Sequence, residues 1–400
     1  MTAPSKRSQA ALDWHNFFVA NVQTGFGPFI AVYLSTQLWT QGQIGAALSV
    51  GTISAMVSQV PGGALVDALD NKRLVALACC LSICGSAAIL AVWPDWLPVL
   101  AAEILHGFAS AMLPAAIAAM SLALVGRAAF GERIGRNARF AALGNGVAAA
   151  VMGAVGSYVS EVAVFYLTAA LMLPGMAMLR WLPPVAPAPS QRSAAPRSGW
   201  REGLRMLLSW RVLVFAAVVM LFHLANAAML PLVAGEITKS LGRQASLIIA
   251  GCIVGPQLLV ALASPYVGRL ADRWGRRPVL ALTFLAVPLR GALLASITAA
   301  APLAAVQLLD GVSAAGFGVM LPLMAADLTR GTQRFTLCMG LFGLAAGLGA
   351  TLSTAVAGEI ADTYGNAVAL WALSAAGFGS VLLILTALPE TRPATQEVTA

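Results

Sequence analysis

Apolar residues run along this chain in long unbroken blocks, and the polar residues gather in the short gaps between them. A bilayer-spanning helix takes about 20 apolar residues. Blocks of about that length recur at about 13–37, 44–66, 74–93, 97–125, 139–160, 162–182, 211–234, 245–267, 279–299, 301–326, 335–358 and 366–388. Strands of a membrane barrel would alternate polar and apolar positions with period two. These blocks do not, so the pattern predicts an all-α polytopic membrane protein with twelve transmembrane helices. The first block is too long for a cleavable leader, is interrupted by Asn16, Asn21 and Gln23, and has no clear small-residue cleavage site after it.

One connection is long. LPPVAPAPSQRSAAPRSGWREGLRMLLSWR begins rich in Pro, Ala and Ser and turns basic and amphipathic toward Trp200–Trp210. Its first part reads as a flexible linker, and its second as a short helix on the membrane surface. Six blocks precede it and six follow. The expected organisation is an N-terminal six-helix bundle over 1–182, a cytoplasmic basic linker over 183–210 and a C-terminal six-helix bundle over 211–400. The two halves repeat each other. Asp67 aligns with Asp272 at an offset of 205, Pro28 with Pro231 at 203, and His106-Gly107 with Asp310-Gly311 at 204. Arg139-Phe140 against Arg334-Phe335 gives 195 and completes a set of four landmarks. The pattern reads as a duplicated six-helix unit with pseudo-symmetric halves.

Composition agrees with a membrane class. Hydrophobic residues make up 59% of the 400 and charged residues 10%, against roughly a quarter in a soluble domain. With the N-terminus placed inside, 21 of the 24 Lys and Arg residues fall on the cytoplasmic face; Lys239 and Arg243 fall outside and Arg290 lies within a span. The positive-inside bias therefore puts both termini in the cytoplasm. It also accounts for the net charge of +8 through topology and lipid contact, with no nucleic-acid partner required. The five cysteines lack metal-ligand spacing and read as inert packing residues. Arginine far outnumbers lysine and alanine is abundant, a bias that suggests a bacterial inner-membrane protein.

The stretch GRLADRWGRRP after the eighth block resembles the loop signature of the major facilitator superfamily, Gly-x-Leu-x-Asp-Arg-x-Gly-Arg-Arg, which follows the second helix and recurs after the eighth. The copy with Gly268, Asp272, Arg273, Arg276 and Arg277 is nearly complete. The first copy keeps Gly63, Asp67, Lys72 and Arg73 but carries Ala68 and Asp70 where Arg and Gly are usual, which implies a weakened N-half latch. The resemblance covers essentially the whole chain and implies two bundles rocking about a midplane site. Physically, an acid at a helix end and bases just beyond it can pair across the halves and hold one closed state. The pairs expected are Asp67 near Arg334 and Asp272 near Arg139; the alternative is that these charges only set topology.

Ionisable groups at membrane depth are candidate functional residues. His106 and Asp310 each lie nine residues from the outer start of their spans, about 13 Å deep. Arg290 lies at matching depth one span earlier, so an Arg290–Asp310 pair is expected, either structural or substrate-binding. Glu103 sits three residues before His106, on roughly one helix face, and aligns with Gln307. Glu103, His106 and Asp310 form the expected proton-coupling set; the alternative for the first two is a protonated, hydrogen-bonded acid beside a packed imidazole. Asn21, Gln23, His223 and Asn226, each before a proline, join Arg290 and Gln307 as candidate substrate-cavity residues. Drug/proton antiporters of the family carry Arg where Glu103 stands and a Gly-Pro motif on the fifth helix, and this chain has neither.

The expected function is secondary active transport of a small organic solute by a monomer, as proton-coupled efflux. Proton-coupled uptake of a nutrient or metal chelate is the alternative, and a non-transporting sensor a more distant one. Neither an enzymatic nucleophile–base pair nor a cofactor or metal motif is legible.

Overall fold

A computed structural model gives the fold and describes residues 5–20, 28–39, 41–183, 200–233, 245–297 and 300–392. Every regular element among them is helical: α1 (Lys6–Val19), α2 (Pro28–Thr36), α3 (Gln41–Ala68), α4 (Lys72–Val92), α5 (Trp96–Val125), α6 (Phe130–Tyr158) and α7 (Glu161–Met178). The short α8 (Trp200–Leu207) precedes α9 (Trp210–Asn226), α10 (Ala245–Trp274), α11 (Arg276–Phe284) and α12 (Ala286–Ser296). Then follow α13 (Ala300–Val306), α14 (Leu308–Leu328), α15 (Phe335–Tyr364) and α16 (Asn366–Ala387). Ten of the described helices are long and apolar enough to cross a membrane. The first expected span corresponds to α1 and α2, and the eighth to α10.

Three departures from the pattern have physical causes. The fifth span starts at Phe130 rather than near residue 139, because its polar first turns are buried against protein rather than left in a connecting loop. The ninth breaks at Leu285, where Pro288 cannot donate the i→i−4 bond to the next turn. The tenth breaks at Gln307, whose carbonyl takes the Asp310 N–H in a tight i→i+3 bond of 3.0 Å.

Within the first half, α4 and α5 pack together and α3 lies on α5; within the second, α10 lies on α14, and α9 on α15 and α16. Apolar faces closed by these contacts form one buried cluster from residues of the first half and a larger one drawn mostly from the second. Phe130, Ile134 and Ala142 of α6 join the larger cluster, which carries the core across the divide. Two seams join the halves, α3 against α15 and α6 against α10.

Candidate functional site

The two seams are built alike. A Cβ on Gly63 of α3 would overlap the Thr336 carbonyl oxygen of α15, and one on Gly268 of α10 would overlap the Gly131 carbonyl oxygen of α6. One turn further along, Gly340 meets the Gln59 carbonyl and Gly135 the Ser264 carbonyl in the same way. Each residue of the first seam stands 205 positions from its counterpart in the second: 63 and 268, 59 and 264, 131 and 336, 135 and 340. Helix backbones approach this closely only where side chains are absent. The repeat therefore extends to Phe130 and Phe335, which meet edge-on with ring centroids 6.1 Å apart. This corrects the fourth landmark: Phe335 pairs with Phe130 at the common offset, and Arg139-Phe140 is not its counterpart.

The loop carboxylates sit at helix starts. Asp67 Oδ1 and Oδ2 accept the N–H groups of Thr336 at 3.0 Å and Leu337 at 2.7 Å, capping the first turn of α15 across the divide. Thr336 Oγ1 donates back to the Gly63 carbonyl at 2.7 Å. The contact expected of Asp67 with the Arg334 side chain is thus made to the backbone that follows it, while the Arg334 guanidinium lies beside Gly203 of α8. Asp272 takes the equivalent place: a Cβ on Gly131 would lie 2.6 Å from its Oδ2. Its ion pair, however, is with Arg276 at 2.7 Å within its own half, and Arg276 also holds Asp327 at 3.0 Å. Arg139 does not reach Asp272, contrary to expectation. Its Nε donates to the Ala261 carbonyl at 2.9 Å, eleven residues or about 16 Å along α10 from the carboxylate.

Asn71 occupies the position equivalent to Arg276. Asp67 consequently has no arginine four residues on to pair with, and both its oxygens accept from α15. The incomplete motif copy is thus the one whose carboxylate accepts backbone hydrogen bonds across the divide, where a weakened latch is expected. The bases beyond it serve their own half: Lys72 Nζ donates to the Val66, Asp67 and Leu69 carbonyls at the end of α3, and Arg73 to Leu182 O at 3.2 Å. Arg277 donates to Leu385 O, and the Arg273 carbonyl accepts from Arg392 at 2.5 Å. Arg127, in the connection before α6, donates to Ala326 O of the other half. Its burial, together with the nearby Arg330 charge, lowers the pKa of its guanidinium against the opposing pull of Asp327.

Glu390 finishes the arginine-rich end of the second half. Its carboxylate accepts Arg276 N at 2.8 Å and Arg277 N at 3.1 Å, at the start of α11 where Gly275 turns with φ +107°. Burial works to raise its pKa, but the backbone donors of Arg276, Arg392, Arg277 and Thr391 outweigh it and hold the group below the ordinary carboxylate range.

Deeper in the bundle, Arg290 and Asp310 are ion-paired through Nη1 and Oδ1. Arg290 Nε also points at Met229 Sδ, 3.3 Å away, and Nη2 donates to the Asn226 carbonyl at 3.3 Å. The arginine is 1% exposed, whereas the Asp310 side chain is 31% exposed. His223, one turn before Asn226, donates from Nδ1 to Val219 O at 3.1 Å and meets Phe317 edge-on at 4.6 Å. Gln307 is buried with both amide atoms lacking a hydrogen-bond partner among the described residues, and so is Asn226 Oδ1. Asn21 and Gln23 lie outside the described residues.

Glu103 is placed differently from His106's counterpart. It is 4% exposed and inserted in the seam between α5 and α3, where a Cβ on Gly51 would overlap Oε2. Its Oε1 is enclosed with no hydrogen-bond partner among the described residues. Gly107 and Ser54 tighten the same seam, the latter donating to Ile104 O at 3.0 Å. Glu103 therefore does not line a cavity shared by the halves in this conformation; His106, one turn on, is half-buried.

A further buried network escaped the sequence reading. Asp13 of α1 pairs with both Arg133 and Arg136 of α6, and the first two are nearly fully enclosed. Arg133 Nε donates to Asn137 Oδ1 at 2.9 Å, and Asn137 Nδ2 to Ser121 Oγ at 2.7 Å, linking α1, α6 and α5. The signal was available: Arg133, Arg136 and Asn137 are spaced three and four apart and share one helix face.

The duplicated helical halves and their small-residue seams define a polytopic helical membrane protein built from two related bundles. The family model for the Major Facilitator Superfamily matches residues 15–235 and again 215–400. Proteins from two strains of Mycobacterium tuberculosis, described as MFS-type transporters, are each 34% identical over 399 residues, covering 98% of this chain and 95% of theirs. The chain belongs to the major facilitator superfamily. Among solved structures it is similar in fold to the human organic anion transporter MFSD10 (TETRAN), with TM-score 0.77, 15% identity and coverage of 96% and 100% of the two chains. The Escherichia coli fucose:proton symporter FucP gives TM-score 0.77 at 16% identity, covering 94% and 97%.

Proposed function

We propose that this member of the superfamily is a secondary active transporter that carries a small organic solute across the bacterial cytoplasmic membrane, driven by protons and directed outward. It works as a monomer with both termini in the cytoplasm. The observation that carries the reading is the pair of equivalent seams around Phe130 and Phe335. They consist of glycine–carbonyl contacts and hydrogen bonds to helix starts, which separate at small cost when one half rocks against the other. The arginine-rich end is closed in this conformation, and the positive-inside rule makes that end cytoplasmic. The polar centre of Arg290, Asp310, Asn226, His223 and Gln307 is then the place for the solute. Glu103, 4% exposed and with Oε1 lacking a hydrogen-bond partner among the described residues, is a proton carrier whose ionisation is costly while α3 and α5 stay packed.

Reconstitution tests this reading. Proteoliposomes with an imposed pH gradient are expected to move solute in exchange for protons, and cells lacking the gene to become more sensitive to toxic solutes. Uptake coupled to the same gradient would support the alternative direction. Absence of gradient-driven movement for every solute in a broad screen would overturn proton coupling.

A further inference from the structure

The two members of the central ion pair are presented unequally. Arg290 is closed off by Met229, Asn226 and Asp310, whereas the Asp310 side chain remains 31% exposed and its Oδ2 has no partner among the described residues. An incoming solute therefore meets a carboxylate and not a guanidinium. Seven residues along α14, two helical turns and so on the same face, stands Phe317, partly exposed and about 10 Å from Asp310 along the axis. Its ring stacks on Phe222 with centroids 5.3 Å apart and receives His223 edge-on. Gln307, one turn before Asp310, adds an enclosed amide without a hydrogen-bond partner among the described residues.

We propose that this centre selects an organic cation: an ammonium group docks on Asp310 Oδ2, and an aromatic body lies against Phe317 and His223. The choice of class follows from charge and geometry together. A carboxylate or phosphate would bring acceptor oxygens to the open Asp310 Oδ2, which is itself an acceptor, and find the arginine engaged by Asp310, Met229 and Asn226. A cation gains the carboxylate, and the aromatic body it carries gains a ring contact with Phe317. The axial distance fits a ring and an amine separated by a short alkyl chain. This inference rests on the transporter reading for its consequence but not for its test.

The test uses the full-length protein in detergent and measures thermal stabilisation and binding by phenylalkylammonium ions with one to four methylenes. The matching phenylalkyl carboxylates serve as shape controls. Ammonium binding is expected, with carboxylate binding absent. Asp310→Asn should weaken it roughly tenfold or more, and Asp310→Glu should largely restore it. Phe317→Leu leaves the ion pair intact and should weaken binding about threefold or more, which keeps the test valid if Asp310→Asn fails to fold. Carboxylate binding, equal binding of both series, binding by neither, or binding that survives both variants overturns the proposal. Ammonium ions that bind but are not moved in proteoliposomes would defeat the transporter reading alone. Gradient-driven movement of the carboxylates would defeat this one and leave transport standing.

Discussion

Phe130 and Phe335 are counterparts in the internal repeat and touch each other, with ring centroids 6.1 Å apart and planes at 77°. A residue that contacts its own repeat equivalent lies at the axis relating the two halves. Both rings are buried at helix starts, Phe130 opening α6 and Phe335 opening α15. Any rotation of one half against the other at the arginine-rich end must separate them.

The glycine seams make the first prediction. Gly268→Val and Gly63→Val put a branched side chain where a carbonyl oxygen now sits, an overlap that small shifts do not relieve. Each variant should fold within its bundles but hold the arginine-rich end open. Thiol-reactive labelling of a cysteine introduced at Ser264, fully enclosed in the α6–α10 seam, should then rise relative to the parent. Unchanged labelling in both variants would contradict the seam assignment.

Asp67 should matter more to closure than Asp272. Removing a carboxylate from a helix start costs about 1 to 2 kcal/mol in a partly buried setting, a shift of roughly five- to thirtyfold in the closed-to-open ratio. Asp67→Ala should show that shift in labelling at the same site. Asp272→Ala should show less of it and more loss of melting temperature, because its bond is to Arg276 within one half.

The Asp13 network is a stability element. Asp13→Ala leaves Arg133 enclosed without its counter-charge and should cost about 3 to 5 kcal/mol, seen as a lowered melting temperature in detergent. The double variant Asp13→Leu with Arg133→Met should recover most of that loss, since matched apolar groups avoid the buried charge altogether. A double variant as unstable as the single would show that Asp13 acts through something other than the pair.

Docking of residues 388–392 should fail in acid. The Glu390 carboxyl is held below its ordinary value, so its contribution is full above the unfolded value and is lost as pH falls through the lowered one. Protection of the Arg276 and Arg277 amides, taken relative to their intrinsic exchange rate, should fall over that range. Glu390→Gln should make exchange fast already at neutral pH and remove the acid dependence.

The repeat and the long apolar helices are legible because lipid imposes long apolar blocks, and Asp67 with Asp272 marks the offset of 205. Arg290 with Asp310 was legible for a similar reason: a charge at depth needs a partner, and only one lay at the same level. Arg139 misleads because its offset of 195 from Arg334 departs from the 205 of the repeat; α6 starts nine residues earlier and carries that arginine too deep to meet Asp272. Asp13 was overlooked at the start of the first block, where a charge looks interfacial until α6 is known to cover it. Glu103 is expected in the proton-coupling set from its depth. Its depth was legible, but its direction was not, since helix phase relative to Gly51 depends on how α3 and α5 pack.

Exchange between two arrangements of the halves is the central claim, and the distance across the α6–α10 seam tests it without knowledge of the solute. Spin labels at Glu132 and Arg269, both exposed and on opposite halves, report it by double electron–electron resonance in lipid nanodiscs, after the native cysteines are replaced. The account predicts two distance populations in the parent protein, with the longer one dominant in Gly268→Val. A single short distance in both proteins would contradict it.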